Sequence, residues 1–133
     1  MLDLKTQGVF SWNELLTKDP EAAKKFYTEV IGWTAEDMPS PGGTYTIFKV
    51  NGEQVAGLMK LPDEAAQMGA QPMWGAYISV DDADAVAARV ETMGGKILQP
   101  PMDIEGIGRF ATLQDPQGAV FSIIKAAEME NEG

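Results

Sequence analysis

"GVFSWNELLTKDPEAAKKFYTEVIGW", from Gly8 to Trp33, reads as a strand, a turn, a helix and a glycine stop. "VFSWNELL" mixes aromatic and aliphatic residues with polar ones in a short run closed by "TKDP", the pattern of a strand that leads into a helix start. Asp19 has the side chain of an N-cap, and Pro20 stands at the first helical position, where its missing N–H costs nothing. Ala22, Ala23, Phe26, Tyr27 and Val30 recur at three- and four-residue spacing, which predicts the buried stripe of an amphipathic helix ending at Gly32. Lys24, Lys25 and Glu29 are expected in water.

The same order returns in "WGAYISVDDADAVAARVETMGGKI": a strand, Asp81 or Asp82 as cap, Val86, Ala87, Val90 and Met93 as stripe, and a double glycine as stop. Thr17 aligns with Val80, Asp19 with Asp82 and Gly32 with Gly95 at one offset of 63 without a gap. Three matches in register identify an internal repeat. Each helix is followed by short β-rich pieces: "WTAEDM", "TYTIFKV" and "QVAGLMKL", separated by "SPGG" and "NGE", then "KILQPPMD", "GIGRFATLQ" and "AVFSIIKA", the last two separated by "DPQG". Each half is therefore βαβββ. The sequence divides into a first unit over 8–61, a linker over 62–73 with room for a helical turn, a second unit over 74–126 and a polar tail over 127–133, all in one domain.

Composition narrows the function classes. The chain has 133 residues, 20 acidic against 10 basic, a formal charge of −10, and neither histidine nor cysteine. That length buries roughly two thirds of the unfolded surface, so no metal or disulfide staple is needed for the fold. The negative charge repels phosphate backbones and anionic lipid surfaces, which argues against nucleic acid and membrane partners. No basic-then-apolar leader and no run long enough to cross a bilayer stand in the chain, so a cytoplasmic location is expected.

The doubled βαβββ unit, "FYTEVIGW", "VDDADAVAARVETMGGKI" and the closing "DPQGAVFSII" resemble the vicinal oxygen chelate superfamily. That group includes glyoxalase I, extradiol dioxygenases, fosfomycin-modifying enzymes and bleomycin-binding resistance proteins. The resemblance runs from about Phe10 to Lys125 and implies an α+β fold, with two tandem βαβββ units forming curved mixed sheets around a cleft that dimerisation often completes. It leaves the reaction open, because one fold hosts many chemistries.

In the metalloenzymes of the superfamily, that cleft holds a divalent ion on the first and last strands of each unit. Carried over by motif, the opening-strand ligands fall on Trp12 and Gly75, the closing-strand ligand of the second unit on Ser122, and the fourth on 57–59. Zinc and its neighbours need N, S or carboxylate donors, and harder ions need several oxygens, so one serine hydroxyl is not a metal site. No metal and no cofactor are expected. Glu14, Asp103 and Glu105 could supply oxygen donors, but they have no recognised ligand spacing.

Strand alternation then sets the lining. If Trp12 faces the cleft, Phe10 and Glu14 face it too, as do Tyr77 and Ser79 beside Gly75, and Val120 and Ile124 beside Ser122. Mostly apolar walls with sparse polar groups suit a small aromatic or amphipathic ligand. The rival is a cleft filled as core by the same aromatics. Arg109, in "GIGRF", either clamps an anionic group of a ligand or bridges to Asp103 or Asp115. Glu14 is the candidate acid/base group if the protein is a lyase or isomerase. Three readings stay open: a metal-independent binding protein, that enzyme, and a dimeric interaction module with a closed cleft. A homodimer is expected in any of them. Trp33 and Trp74 stand at strand starts as rim or dimer-contact residues.

Overall fold

The computed structural model describes residues 3–40, 43–104 and 107–127. The "SPGG" turn centre, Glu105 and all but the first residue of the polar tail lie outside the described residues. Contacts divide the chain into two compact units, one of 12–75 and one of 1–11 with 76–133.

In the unit of 12–75, β1 (Phe10–Thr17) leads into α1 (Pro20–Val30), followed by β2 (Thr34–Ser40), β3 (Gly43–Val50), β4 (Glu53–Lys60) and the short α2 (Asp63–Gln67) within the linker. The strand order is β2-β3-β4-β1. β1 and β4 run parallel, with Glu14 opposite Gly57 and Leu15 opposite Leu58, whereas β2–β3 and β3–β4 are antiparallel. Asn51 and Gly52 both take positive φ, 52° and 82°, as a two-residue hairpin turn between antiparallel strands requires. Leu15, Phe48, Ala56 and Leu58 form the buried cluster on the helix side, joined by Ala23, Tyr27, Trp33, Ala35 and Val55.

The unit of 1–11 and 76–133 repeats the plan with β5 (Met73–Ser79), α3 (Ala83–Thr92), β6 (Lys96–Ile104), β7 (Gly108–Gln114) and β8 (Val120–Ala126) in the order β5-β8-β7-β6. β5 and β8 are parallel, with Tyr77 opposite Ser122 and Ile78 opposite Ile123, and β6–β7 and β7–β8 are antiparallel. The N-terminal residues join this unit through main-chain bonds: Gly8 N–H donates to the Ser79 carbonyl and Ser79 N–H to the Val9 carbonyl, each at 2.8 Å. Its core is Val80, Ala83, Ala87, Ala111, Leu113 and Ile123. The α+β class and the βαβββ order of both halves agree with the sequence reading.

The two helix starts are near copies. Asp19 accepts from the Ala22 N–H at 3.1 Å and Asp82 from the Ala85 N–H at 3.0 Å. At the far ends, the glycines with left-handed backbone are Gly32 (φ 92°) and Gly94 (φ 94°), so the stop that matches Gly32 is Gly94 and not Gly95. The buried stripes differ more. In α3, Ala83 and Ala87 are buried as the pattern requires, with Val86 and Val90 packed beside them, while Met93 points outward.

For α1 the expected stripe holds only in part: Ala23 and Tyr27 pack on the sheet, whereas Ala22 is exposed, Phe26 is 55% exposed and Val30 60%. Two overlapping stripes compete on this helix, and the partners of 23, 24 and 27 decide between them. The Tyr27 ring stacks on Trp33 with centroids 5.9 Å apart and meets Trp74 edge-on at 5.4 Å, and the Trp74 indole N–H donates to its hydroxyl at 3.1 Å. Lys24 reaches Asp37 on β2 at 2.8 Å, and Asp37 also accepts from Thr46 at 2.7 Å. The Lys24 and Thr46 bonds hold the Asp37 carboxyl below its ordinary range. This half-turn of helix is fixed by the sheet, which single-helix periodicity does not see.

Candidate functional site

Each unit has one sheet face packed on its helix and one turned away from it, and the expected site residues on β1, β5 and β8 lie on the second kind of face. In the unit of 12–75, Leu15 and Leu58 go to the helix-side core, so their strand neighbours Glu14 and Gly57 lie on the other face, with Trp12 on the same parity. Tyr45 and Ile47 on β3 join them, since Phe48 faces the core and Ile47 lies opposite Gly57.

The register also settles the fourth position. Glu14 pairs with Gly57 in one unit as Tyr77 pairs with Ser122 in the other, so Gly57 is the counterpart of Ser122. By the superfamily motif the ligand positions fall on Trp12, Gly57 and Gly75 in one unit and on Ser122 in the other. None carries an imidazole, thiolate or carboxylate, so the residues do not fit a divalent ion. At Gly57 the space is taken as well: a Cβ there would overlap the Tyr45 hydroxyl and come within 3.2 Å of Trp12 Nε1. The Trp12 indole N–H donates to Tyr45 Oη at 3.0 Å, and Tyr45 is also hydrogen-bonded to Glu14. Glu14 is 9% exposed, and Trp12 and Tyr45 are half-buried. Burial first, then the Glu14 charge, raises the Tyr45 phenol far above its ordinary value, so it stays protonated.

In the other unit, Tyr77 is 8% exposed and its ring lies 6.3 Å from that of Phe110. Ser122 is buried with its hydroxyl 3.1 Å from that of Thr112, and Ile124 is half-buried beside them. The buried Ser79 hydroxyl is bonded to the Leu4 carbonyl at 2.6 Å and to the Ser11 hydroxyl at 2.8 Å. Val120 is 40% exposed, and Phe10, at the start of β1, is 67% exposed.

Arg109 spreads its fork over two carboxylates, with Nε and Nη2 on Asp84 at 3.1 and 3.0 Å and Nη1 on Asp103 at 3.1 Å. Asp115, the other bridging partner considered from sequence, instead accepts the Gln117 and Ala119 N–H groups at 2.9 and 3.0 Å and closes the "DPQG" turn. Trp33 and Trp74 belong to the aromatic cluster around Tyr27. Sequence reasoning missed Tyr45. In "TYTIFKV" both parities carry large apolar residues, so alternation does not say which face is which.

The model of the Glyoxalase/Bleomycin resistance protein/Dioxygenase superfamily matches residues 9–123. The chain belongs to this superfamily. Similar members include CFP32 of Mycobacterium tuberculosis (strain CDC 1551 / Oshkosh), which carries a provisional glyoxylase name, 43% identical over 122 residues that make up 90% of this chain and 46% of that protein. The anthracycline biosynthesis protein DnrV of Streptomyces peucetius is 37% identical over 134 aligned positions, 92% of this chain and 49% of its own. The chain thus spans about half the length of the curated superfamily relatives it matches. Among solved structures, the methylmalonyl-CoA epimerase of Streptomyces coelicolor has a TM-score of 0.66 at 19% identity, covering 95% of this chain and 99% of the other. That of Mycobacterium tuberculosis has 0.64 at 16%, covering 96% and 94%. At such identities the likeness is one of superfamily fold. No described helix is long and apolar enough to cross a membrane.

Proposed function

We propose that this superfamily member binds a small aromatic or amphipathic molecule without a metal. One observation carries the reading: where a metalloenzyme would present ligands on β1 and β4, this chain has Gly57, and the Tyr45 hydroxyl stands in the space a ligand side chain would need, bonded to Trp12. An indole and a phenol edge offer stacking area, and a tyrosine–glutamate pair offers orientation, which is the mix of a small-molecule site. The face with Tyr77, Ser122 and Ile124 is the matching surface of the other unit. DnrV, named for anthracycline biosynthesis, is a relative in keeping with such a ligand. A homodimer is part of the proposal and is read by sedimentation.

The experiment combines elemental analysis with one substitution. Purified protein is expected to carry no stoichiometric divalent metal. Trp12→Ala is expected to cost about 2 kcal/mol, less than the ~3 to 5 of a fully buried aromatic, and to abolish fluorescence quenching by ligands from an aromatic library. Near one equivalent of zinc, nickel, iron or manganese that disappears in Glu14→Ala would overturn the metal-free reading. A full core-type loss with no response to any ligand would overturn the binding reading and leave an interaction module.

The burial of Glu14 beside Tyr45 favours a second reading, in which Glu14 moves a proton as acid or base in a lyase or isomerase reaction. Its test is turnover of an acidic C–H substrate followed by deuterium exchange from solvent. Exchange that survives Glu14→Gln unchanged would remove Glu14 from that role.

A further inference from the structure

Between α3 and the "DPQG" turn lies a groove of about 230 Å³, all of it within the unit of 1–11 and 76–133. Val86 and Val90 of α3, with Met93 at its end, form one wall at helical spacing, and Phe121 of β8 and Pro116 of the turn form the other. Val86, Val90 and Phe121 are only partly buried against the core, so they turn part of their surface into the groove, and Met93 is 72% exposed at the rim. Gly95 completes the lining where helix and sheet come close: a Cβ there would stand 2.7 Å from Val90 Cγ1 and 2.5 Å from the Gln114 carbonyl oxygen. The volume suits one ring with a short arm, since an apolar cavity of about 150 Å³ already holds benzene.

Two charged residues join this lining, and they are not equivalent. Asp115 is engaged by its own turn, where Oδ1 accepts the Gln117 and Ala119 N–H groups at 2.9 and 3.0 Å. Arg89 has no side-chain hydrogen bond or ion pair among the described residues. Its own helix offers no carboxylate within reach, because Ala85, Val86, Thr92 and Met93 stand three and four residues to either side, and Asp84 is held by Arg109 at 3.0 and 3.1 Å. Of the two arginines in the chain, Arg109 is bound to two carboxylates, while Arg89 brings an open fork to an apolar groove.

We propose that this groove is a second binding site, sharing no residue with the face of Trp12, Glu14 and Tyr45, and that it takes a small carboxylic acid with an apolar body of about one ring. The body lies between Met93 and Phe121, where a thioether and an aromatic ring both make favourable contact with a further ring. The carboxylate meets the Arg89 guanidinium, whose planar fork matches it with two parallel N–H donors. The formal charge of −10 repels an anion at long range, but salt at about 0.15 M cuts that reach to about 8 Å, within which Arg89 is the cation of the lining.

Three probes with the same ring and arm read the site: phenylacetate, 2-phenylethanol and 2-phenylethylamine. Each is titrated at pH 7 and about 0.15 M salt into the whole chain carrying carbon-13 in its methionine methyls, with the Met93 signal assigned by its loss in Met93→Leu. Phenylacetate is expected to move that signal and to bind about 3- to 10-fold more tightly than the alcohol, the worth of one charge-assisted pair at an exposed site. The amine should bind at least ~3-fold more weakly than the acid, because it meets a like charge. Arg89 is exposed, so Arg89→Gln should leave the fold intact, which near-ultraviolet circular dichroism checks. In that variant the gap between acid and alcohol should shrink to under about 2-fold while the alcohol's own affinity holds, and Arg89→Lys should retain part of the gap. A Met93 signal that no probe moves, an amine that binds as tightly as the acid, or a gap unchanged in Arg89→Gln would each overturn the proposal. So would a Met93 signal that shifts with protein concentration alone while sedimentation shows association, since the occupant would then be a second copy of the chain.

Discussion

The two units use one topology and one pairing register, yet their faces away from the helix are chemically unlike. On one, Glu14 opposite Gly57 is bonded to a tyrosine that takes up the missing side chain's room. On the other, Tyr77 opposite Ser122 sits beside a pair of hydroxyls, Ser122 and Thr112, 3.1 Å apart. A repeated unit therefore fixes where side chains of this superfamily stand but not what they do. The glycine makes the difference, because at 57 it leaves a hole that a rigid phenol fills, whereas at 122 a small hydroxyl fills its own place.

The sharpest test of that contrast is a pair of alanine substitutions at equivalent positions. Gly57→Ala puts a Cβ into the Tyr45 hydroxyl and must displace the ring from Trp12, with an expected cost of about 1 to 3 kcal/mol in chemical denaturation. Ser122→Ala removes one hydrogen bond to Thr112 and should cost about 0.5 to 1.5 kcal/mol. Equal costs, or a neutral Gly57→Ala, would break the comparison.

A second test uses pH. Burial and the Glu14 charge raise the folded Tyr45 phenol above its ordinary value of 10.0. The sign follows from linkage: above about pH 10 the unfolded chain releases this proton while the folded chain keeps it, so stability that is fully present below pH 10 is lost as pH rises further. Denaturation midpoints measured from pH 9 to 11 should fall above pH 10 in the native protein. Tyr45→Phe should fall less steeply over the same range. Parallel curves would mean that Tyr45 is not held neutral by its surroundings.

The smallest effect is expected from Phe26→Ala, within about 0.5 kcal/mol, because Phe26 is 55% exposed on the outer side of α1. Its counterpart in the comparison is Tyr27→Ala, which empties the centre of the Trp33, Phe48 and Trp74 cluster and should cost several times more in the same measurement. A costly Phe26→Ala would restore the stripe that periodicity predicts.

Much of the fold was legible because its signals are local. Asp19 and Asp82 cap their helices, Asn51-Gly52 and "DPQG" turn their hairpins, and the 63-residue offset marks the repeat, all through bonds or backbone preferences that span a few residues. Strand parity at Trp12 and Glu14 was legible for the same reason, since alternation is a property of the strand itself. That Trp12, Gly75 and Ser122 bring no imidazole, thiolate or carboxylate is read from residue identities alone.

What the tertiary structure alone decided is which of two acceptable local patterns wins. The choice between the Phe26 and Tyr27 stripes of α1 depends on Trp33, Trp74 and Asp37, which reach the helix from other elements. Arg109 pairs with Asp84 on α3 and Asp103 on β6, partners 25 and 6 residues away, and not with Asp115. Tyr45 meets Trp12 across 33 residues of sequence, and only strand register brings both to Gly57. Side-chain chemistry within one turn or one strand is written in the order of residues; the pairing of distant side chains follows from how strands align, which no single stretch encodes.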